Sequence, residues 1–390
     1  MPYNFDELIP RANTNSVKYD LREKLFGRND LIPMWVADMD FRVPPAVSQA
    51  IKERAEHEIY GYTFRPESFY HAVKQWTEKR YQWSVSRKWM VFVPGIVPGI
   101  NLAIMALTNP GDKIMIQPPV YFPFFHAIKK NNRTLIENKL ILNNGRYHID
   151  LDDFEEKLKQ GVKLFILSNP HNPGGSVWTE RELKEMGKRC CHYGAKIIAD
   201  EIHADIVFSE HPYTPMASVN EEIANQTITF LAPSKTFNIA GLSTSIAIIS
   251  NLELRKALED MIDKIHISHG NIFGQVAMES AYNYGEKWLD ELIEYLKDNV
   301  RLIEEYMNHH IEEIKLVRPE GTYLAWLDCR NLPIQHNKIN RFMVKEAGVG
   351  MNEGATFGKN GAGFQRMNFG CPRQTLKKAL ENIKLAVRNI

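Results

Sequence analysis

Residues 163–175 read KLFILSNPHNPGG. An unbroken apolar run, Leu164 to Leu167, stops at Ser168, and asparagines each followed by proline come next. Six comparable runs lie between residues 90 and 250: MVFV (90–93), KIMIQPP (113–119), TLIENKLIL (134–142), AKIIADEIH (195–203), TITFLAPS (227–234) and STSIAIIS (243–250). Continuous β-rich runs separated by helical patterns predict an α/β fold with a mainly parallel sheet. Several runs end directly in polar residues: Asn169 after the first, Asp200 after KIIA, and Ser234 with Lys235 after TITFLAP. Ligands bind at the carboxyl ends of strands in open α/β sheets, so the functional site is expected there.

Beyond Gly285 the pattern changes. Leu289, Leu292, Ile293, Leu296, Val300, Ile303 and Met307 recur at helical spacing on one face, which predicts a long core-facing helix joining two domains. TYLAWLDC, GFQRMNFG and RQTLKKALENIKLAV then read as strand, strand and terminal helix of a smaller α+β domain. The first 45 residues are rich in proline and aromatics without a long period, and read as an arm packed on that domain. The expected division is an arm over 1–45, a large ligand-binding domain over 46–284 and a small domain over 285–390.

At 390 residues, 44% hydrophobic and 24% charged, the chain can bury a large core. Lys plus Arg number 48 against 47 Asp plus Glu, with no basic block, so neither nucleic acid nor a membrane is expected as partner. Cys190, Cys191, Cys329 and Cys371 form neither a zinc spacing nor a disulfide framework and read as reduced packing residues. No basic-then-apolar leader opens the sequence, and no apolar run nears the ~20 residues of a membrane span, so a cytoplasmic location is expected.

Four further stretches carry chemistry. VPGIVPGINLAIMAL (93–107) places Gly95 and Gly99 around a turn that opens a helix with Asn101 in its first turn; free amides and the helix dipole there would cradle a phosphate. In SNPHNPGG, proline after Asn169 and Asn172 favours extended backbone at both, so that a carboxamide can point at a fixed acceptor; a plain Asn-Pro turn is the competing reading. Asp200 follows an apolar strand, where an unpaired carboxylate is costly and calls for a cation. His203 and Asp205 follow, but with no second histidine at ligand spacing a metal is not expected. In GFQRMNFG (363–370), Phe364, Arg366 and Asn368 share a strand face, and Arg366 reads either as a solvated edge residue or as a fork for a carboxylate. A lone lysine after an apolar run, as Lys235 is, would ordinarily just reach water. One ligand unites these groups: a ring with a basic nitrogen, a phenolic oxygen, a phosphate and an aldehyde would use Asp200, Asn172, the Gly95 turn and Lys235. That is pyridoxal phosphate, which needs a Schiff-base lysine and an acidic partner for its ring nitrogen.

The order SNPHNPGG, ADEIHADI, APSKTFNIAGL and R-M-N resembles the fold type I, aspartate aminotransferase-like pyridoxal phosphate enzymes over essentially the whole chain. MWVADMDF (34–41), YGYTF (60–64), QPPVYFPF (117–124), DEIH (200–203) and APSKTFNIAGL (232–242) are similar, more narrowly, to the MalY/PatB branch of cystathionine β-lyases or C-S lyases. The resemblance implies a seven-stranded, mainly parallel sheet in the large domain. It implies that Lys235 binds the cofactor covalently and then moves protons, that Asp200 pairs with the ring nitrogen, that Asn172 bonds the ring hydroxyl and that Tyr121 stacks on the ring. The Ile96 and Val97 amides with the Ser234 hydroxyl would hold phosphate, Arg366 would clamp the substrate carboxylate, and Tyr62 would reach the phosphate of a neighbouring subunit in a homodimer with shared sites. His203 stands at the cofactor where many aminotransferases have tyrosine, and Ser243 where many have a phosphate-binding arginine; both departures resemble the lyase branch.

The expected reaction is β-elimination of L-cystathionine or related cysteine S-conjugates to a thiol, pyruvate and ammonia, with Tyr121 or Lys235 as proton donor to the departing sulfur. An amino-acid aminotransferase would use the same groups, and a cofactor-binding regulator of a transcription activator is a third reading, for which the sequence offers neither a helix-turn-helix nor a basic stripe.

Overall fold

The computed structural model describes residues 3–208 and 210–390. The seven apolar runs supply the seven strands of the main sheet: β1 (Met90–Val93), β2 (Lys113–Ile116), β3 (Thr134–Glu137), β4 (Val162–Ser168), β5 (Lys196–Asp200), β6 (Thr227–Leu231) and β7 (Ser245–Ile248). Their order across the sheet is β1-β7-β6-β5-β4-β2-β3. Only β7 runs against the others, pairing antiparallel with both β6 and β1. Helices cover the sheet, and β1, β6 and β7 are buried along their whole length, which is why these runs do not alternate. The run 134–142 is not one strand: it breaks after Glu137, and Ile141–Asn143 pairs instead with Arg146–His148 in a separate hairpin.

The helix Ile96–Leu107 begins directly after β1. Gly95 precedes it at φ +126°, a conformation side chains rarely adopt. Gly99 and Asn101 lie elsewhere than the sequence suggested. Gly99 is inside the helix, where a Cβ would stand 2.6 Å from the Phe230 ring, so its role is close approach of helix to β6 rather than a turn. Asn101 sits one turn further in, with its amide bonded back to the Val97 carbonyl at 2.8 Å and its oxygen accepting from Asn131.

The periodic segment after Gly285 is a single helix, Glu286–His310, whose apolar stripe is buried from Leu289 to Met307. It leads into a second sheet containing β8 (Lys315–Val317), β9 (Leu324–Asp328), β10 (Asn352–Glu353) and β11 (Phe364–Asn368), ordered β8-β9-β11-β10. The amino-terminal arm joins this part through a parallel bridge of Ile32–Pro33 to Val349–Gly350. It also crosses to the main sheet's side, where the Met39 amide donates to Asn238 Oδ1 at 2.9 Å. The arm is tied down by a buried ion cluster. Lys18, with no solvent exposure, reaches Asp40 at 2.8 Å, while Arg11 reaches Asp40 at 2.6 Å and Asp38 at 2.8 Å. Asn368 fixes the same stretch by donating to the Val36 and Asp38 carbonyls.

Candidate active site

The strand ends gather their polar residues around one cavity of about 280 Å³. β1 delivers Gly95, Ile96 and Val97, β4 delivers Ser168 and Asn172, β5 delivers Asp200 and, just beyond, His203, and the turn after β6 delivers Ser234 and Lys235. Tyr121 comes from the segment after β2. Because β7 runs backwards it enters from this same edge, so Ser243, Thr244 and Ser245 line the cavity as well. A larger cavity of about 920 Å³ lies under the arm and shares Ala240 with this one; its Arg42–Glu7 and Arg11–Asp38 pairs are already matched.

Lys235 sits in the four-residue helical turn Pro233–Thr236. Its side chain opens onto the cavity, and Nζ donates to the Ala37 carbonyl at 2.6 Å. Burial pushes its pKa down to about 8; Asp38 opposes that shift, Arg366 adds to it, and Asp200 opposes it. Asp200 shows the mirror image. Burial pushes its carboxyl up to about 7, against the Ile202 amide that donates to Oδ1 at 3.2 Å and the more distant Lys235 charge. No ion pair to Asp200 forms among the described residues.

Arg366 stands behind Asn172 on β11 and is buried. Nη1 donates to Asn172 Oδ1 at 3.0 Å, and Nη2 donates to the Trp35 carbonyl at 2.9 Å and to Asn352 Oδ1 at 2.7 Å. The guanidinium carbon lies 4.9 Å from the Phe357 ring centre, and Nε is buried without a partner. All its acceptors are neutral. Burial holds its pKa down at about 10, so it is a desolvated cation with no counter-ion among the described residues, not a solvated edge residue.

His203 is buried against the Tyr323 ring, 5.8 Å between centres, with Nδ1 unpartnered; burial first, then Lys235 and Arg366, push its pKa down to about 3. Tyr121 also has its pKa raised by burial, so it stays protonated. The two asparagines of SNPHNPGG part company. Asn172 faces the site, whereas Asn169 turns away to the Thr214 carbonyl and the Trp178 amide. Both precede a cis peptide bond. Tyr62 does not reach the cavity of its own chain: it is 97% exposed, beside the exposed Ile59, Tyr60 and Phe64.

Four contributors had no individual role assigned from the sequence. The carbonyls of Ala37 and Trp35 depend on where the arm crosses, and no side-chain signal marks them. Asn352 contacts Arg366 because β10 and β11 pair these two residues in register. Thr244 lies inside an apolar run whose reversed direction the sequence does not disclose.

These residues fit pyridoxal phosphate. The chemistry of the donor set asks for a cation beside Asp200, an anion beside Arg366, and a phosphate at the first turn of Ile96–Leu107, whose leading N–H groups have no acceptor within the helix. The unpartnered His203 Nδ1 is a further polar atom left for a ligand.

Comparison with known proteins agrees with this geometry. The aminotransferase class I and II family profile matches residues 29–383. The cystathionine beta-lyase PatB of Bacillus subtilis is 40% identical, over 98% of this chain and 100% of that protein. Among solved structures, cystalysin from Treponema denticola, which contains a pyridoxal 5'-phosphate cofactor, superposes with a TM-score of 0.95 at 35% identity, covering both chains fully. The pyridoxal phosphate-bound C-S lyase from Staphylococcus hominis gives 0.92 at 37% identity, covering 99% of this chain and 98% of its own.

Proposed function

We propose, from the premise that this chain belongs to the aminotransferase class I and II family, that its site carries out β-elimination on a cysteine S-conjugate such as L-cystathionine, giving a thiol, pyruvate and ammonia. The chain is a pyridoxal phosphate-dependent carbon–sulfur β-lyase. The observation that carries the reading is a pair of buried charged side chains that form no ion pair among the described residues: Asp200, with only the more distant Lys235 charge to oppose its burial, and Arg366, whose hydrogen-bond acceptors are all neutral.

When bound, pyridoxal phosphate supplies the electron sink for the pair released as a substrate loses its α-proton. Asp200 keeps the ring nitrogen protonated, because burial makes an isolated carboxylate there unfavourable and a cation beside it favourable. Arg366 takes the substrate carboxylate, with Asn352 and Asn172 holding the guanidinium plane. Lys235 is the covalent anchor and afterwards the base. At pH 7 a lysine with pKa about 8 is neutral in about one molecule in ten, against about three in ten thousand for an ordinary lysine. Tyr121, kept protonated by burial, or Lys235 donates to the departing sulfur. The Ile96 and Val97 amides and Ser234 hold the phosphate, while Asn172 and His203 bond the cofactor's polar edge.

Tyr62, projecting into solvent with Ile59, Tyr60 and Phe64, supports the reading that it completes the phosphate site of a second subunit in a homodimer. The three-part division at residues 45 and 284 has the support of two separate sheets joined by the helix Glu286–His310. Among the described residues no helix is long and apolar enough to cross a membrane, and a cytoplasmic location is part of the proposal.

The family's name favours one other reading, amino-group transfer. Purified protein with pyridoxal phosphate and L-cystathionine, and no keto acid, is expected to release pyruvate and thiol in equal amounts, and Lys235→Ala to release neither. Turnover only after addition of 2-oxoglutarate would make the protein an aminotransferase instead.

A further inference from the structure

Behind the cavity lies a buried hydrogen-bonded group to which the reaction above gives no part. Asp205 accepts from three neutral donors: Trp76 Nε1 at 2.8 Å and the Tyr81 hydroxyl on Oδ1, and the Thr236 hydroxyl at 2.7 Å on Oδ2. Trp76 and Tyr81 belong to the helix Glu67–Tyr81, and Thr236 closes the turn that carries Lys235. Burial pushes the Asp205 carboxyl up, against its bonds from Tyr81, Thr236 and Trp76 and the more distant Arg80 charge; a buried polar group of this kind costs more than an apolar filling of the same space, so packing alone does not explain it. Its anchors are themselves fixed. The Trp76 indole stacks on Tyr282 at 5.1 Å and 23° and meets Phe237, the residue after Thr236, edge-on at 5.6 Å.

The same short segment carries Asp200 and His203 into the cavity. Residues 200–205 therefore touch the site twice, at the Asp200 carboxylate and, through Thr236, at the base of Lys235. The charged groups facing Lys235 are Asp38 from the arm, Arg366 from β11 and Asp200 from β5, and His203, just beyond β5, is the titratable imidazole on the same cavity that the lysine charge acts on. The path from Asp205 to the ammonium runs through the Thr236 hydroxyl.

We infer that Asp205 is a positioning residue for Lys235: by gripping the Thr236 hydroxyl it fixes the turn from which the lysine enters the cavity, and it sets the lysine's spacing from Asp200. The inference rests on the reading of Lys235 as the anchor and base of the lyase. Holding a reacting group in place can be worth about a hundredfold in rate per ångström of displacement.

Thr236→Val removes the hydroxyl at nearly constant volume, Thr236→Ser retains it, and Asp205→Asn alters the acceptor. Two readouts separate positioning from packing. The first is the pH midpoint for acetylation of Lys235 in cofactor-free protein, followed by peptide mass spectrometry. The second is kcat and KM for β-elimination by the holoenzyme. Thr236→Val is expected to raise the midpoint by about half a unit or more, a threefold change in protonation ratio, and to cut kcat about tenfold with KM within about twofold. Thr236→Ser should restore both, and Asp205→Asn should behave as Thr236→Val does. An unchanged midpoint and kcat in Thr236→Val, even with a lowered melting temperature, would reduce Asp205 to a structural role. Should Asp205→Asn fail to fold, Thr236→Val decides alone. Should the wild-type protein form no pyruvate and thiol, the lyase reading falls, yet the acetylation midpoint still decides the role of Asp205.

Discussion

Two side chains at the site are less stable in the folded protein than their neighbours require, and the imbalance is chemical information. Asp200 has its pKa raised from 3.8 to about 7 by burial. The folded state therefore binds more protons than the unfolded state between those values, and the carboxylate destabilises the cofactor-free fold fully above pH 7 and not at all below pH 4. Asp200→Asn should consequently gain about 2 kcal/mol of stability at pH 8 in urea unfolding without cofactor, and nothing at pH 4, while losing β-elimination. An equal gain at both pH values would show that charge is not the source. Arg366 makes the complementary case. A guanidinium can meet a carboxylate in two bonds, which a lysine cannot reproduce, and Arg366 keeps Nε–H and one Nη1–H uncommitted, so Arg366→Lys should raise KM for cystathionine about a hundredfold and change kcat far less. A kcat loss at unchanged KM would remove Arg366 from substrate binding.

At the scale of elements, the site depends on how tightly the helix Ile96–Leu107 lies on the sheet. A methyl at Gly99 would meet Phe230 on β6 at 2.6 Å, and either the ring or the helix must move. Gly99→Ala should lose about 1–3 kcal/mol and, because the same helix presents the Ile96 and Val97 amides, weaken pyridoxal phosphate binding in equilibrium titration; unchanged affinity would place the phosphate elsewhere. This contact also shows where sequence reading stops. The seven apolar runs were legible because buried strands between helices leave continuous runs, and the strand-end residues Asp200, Ser234 and Lys235 were legible because polar groups there contradict their surroundings. Gly99 was misread as part of a turn because glycine serves both tight turns and close approach, and only the position of Phe230, 131 residues away in the sequence, separates the two. The Ala37 and Trp35 carbonyls were not legible at all, since every residue has one and only the arm's path selects these. Arg366 was visible as a candidate, but only its burial and its bonds to Asn172 and Asn352 set it apart from a solvated edge residue.

At the scale of the whole molecule, the segment around Tyr62 bears a specific burden in the proposed dimer. Ile59, Tyr60, Tyr62 and Phe64 are more than half exposed in the single chain, an apolar surface that association would remove from water. If Tyr62 serves the phosphate of the other subunit, each site draws Lys235 from one chain and Tyr62 from the next. Two defective variants should then repair one another. Tyr62→Ala alone should lose activity when cofactor is limiting, and Lys235→Ala alone should be inactive throughout. Unfolded together in equal amounts and refolded, half of the dimers are mixed, and each mixed dimer has one site built from an intact Lys235 and an intact Tyr62. About a quarter of the wild-type activity should return at limiting cofactor. Mixing without subunit exchange should recover none of it, and sedimentation should show a species of twice the chain mass. If refolded mixtures show only the summed activities of the parents, Tyr62 acts within its own chain or not at all, and the shared site is wrong even if the dimer stands.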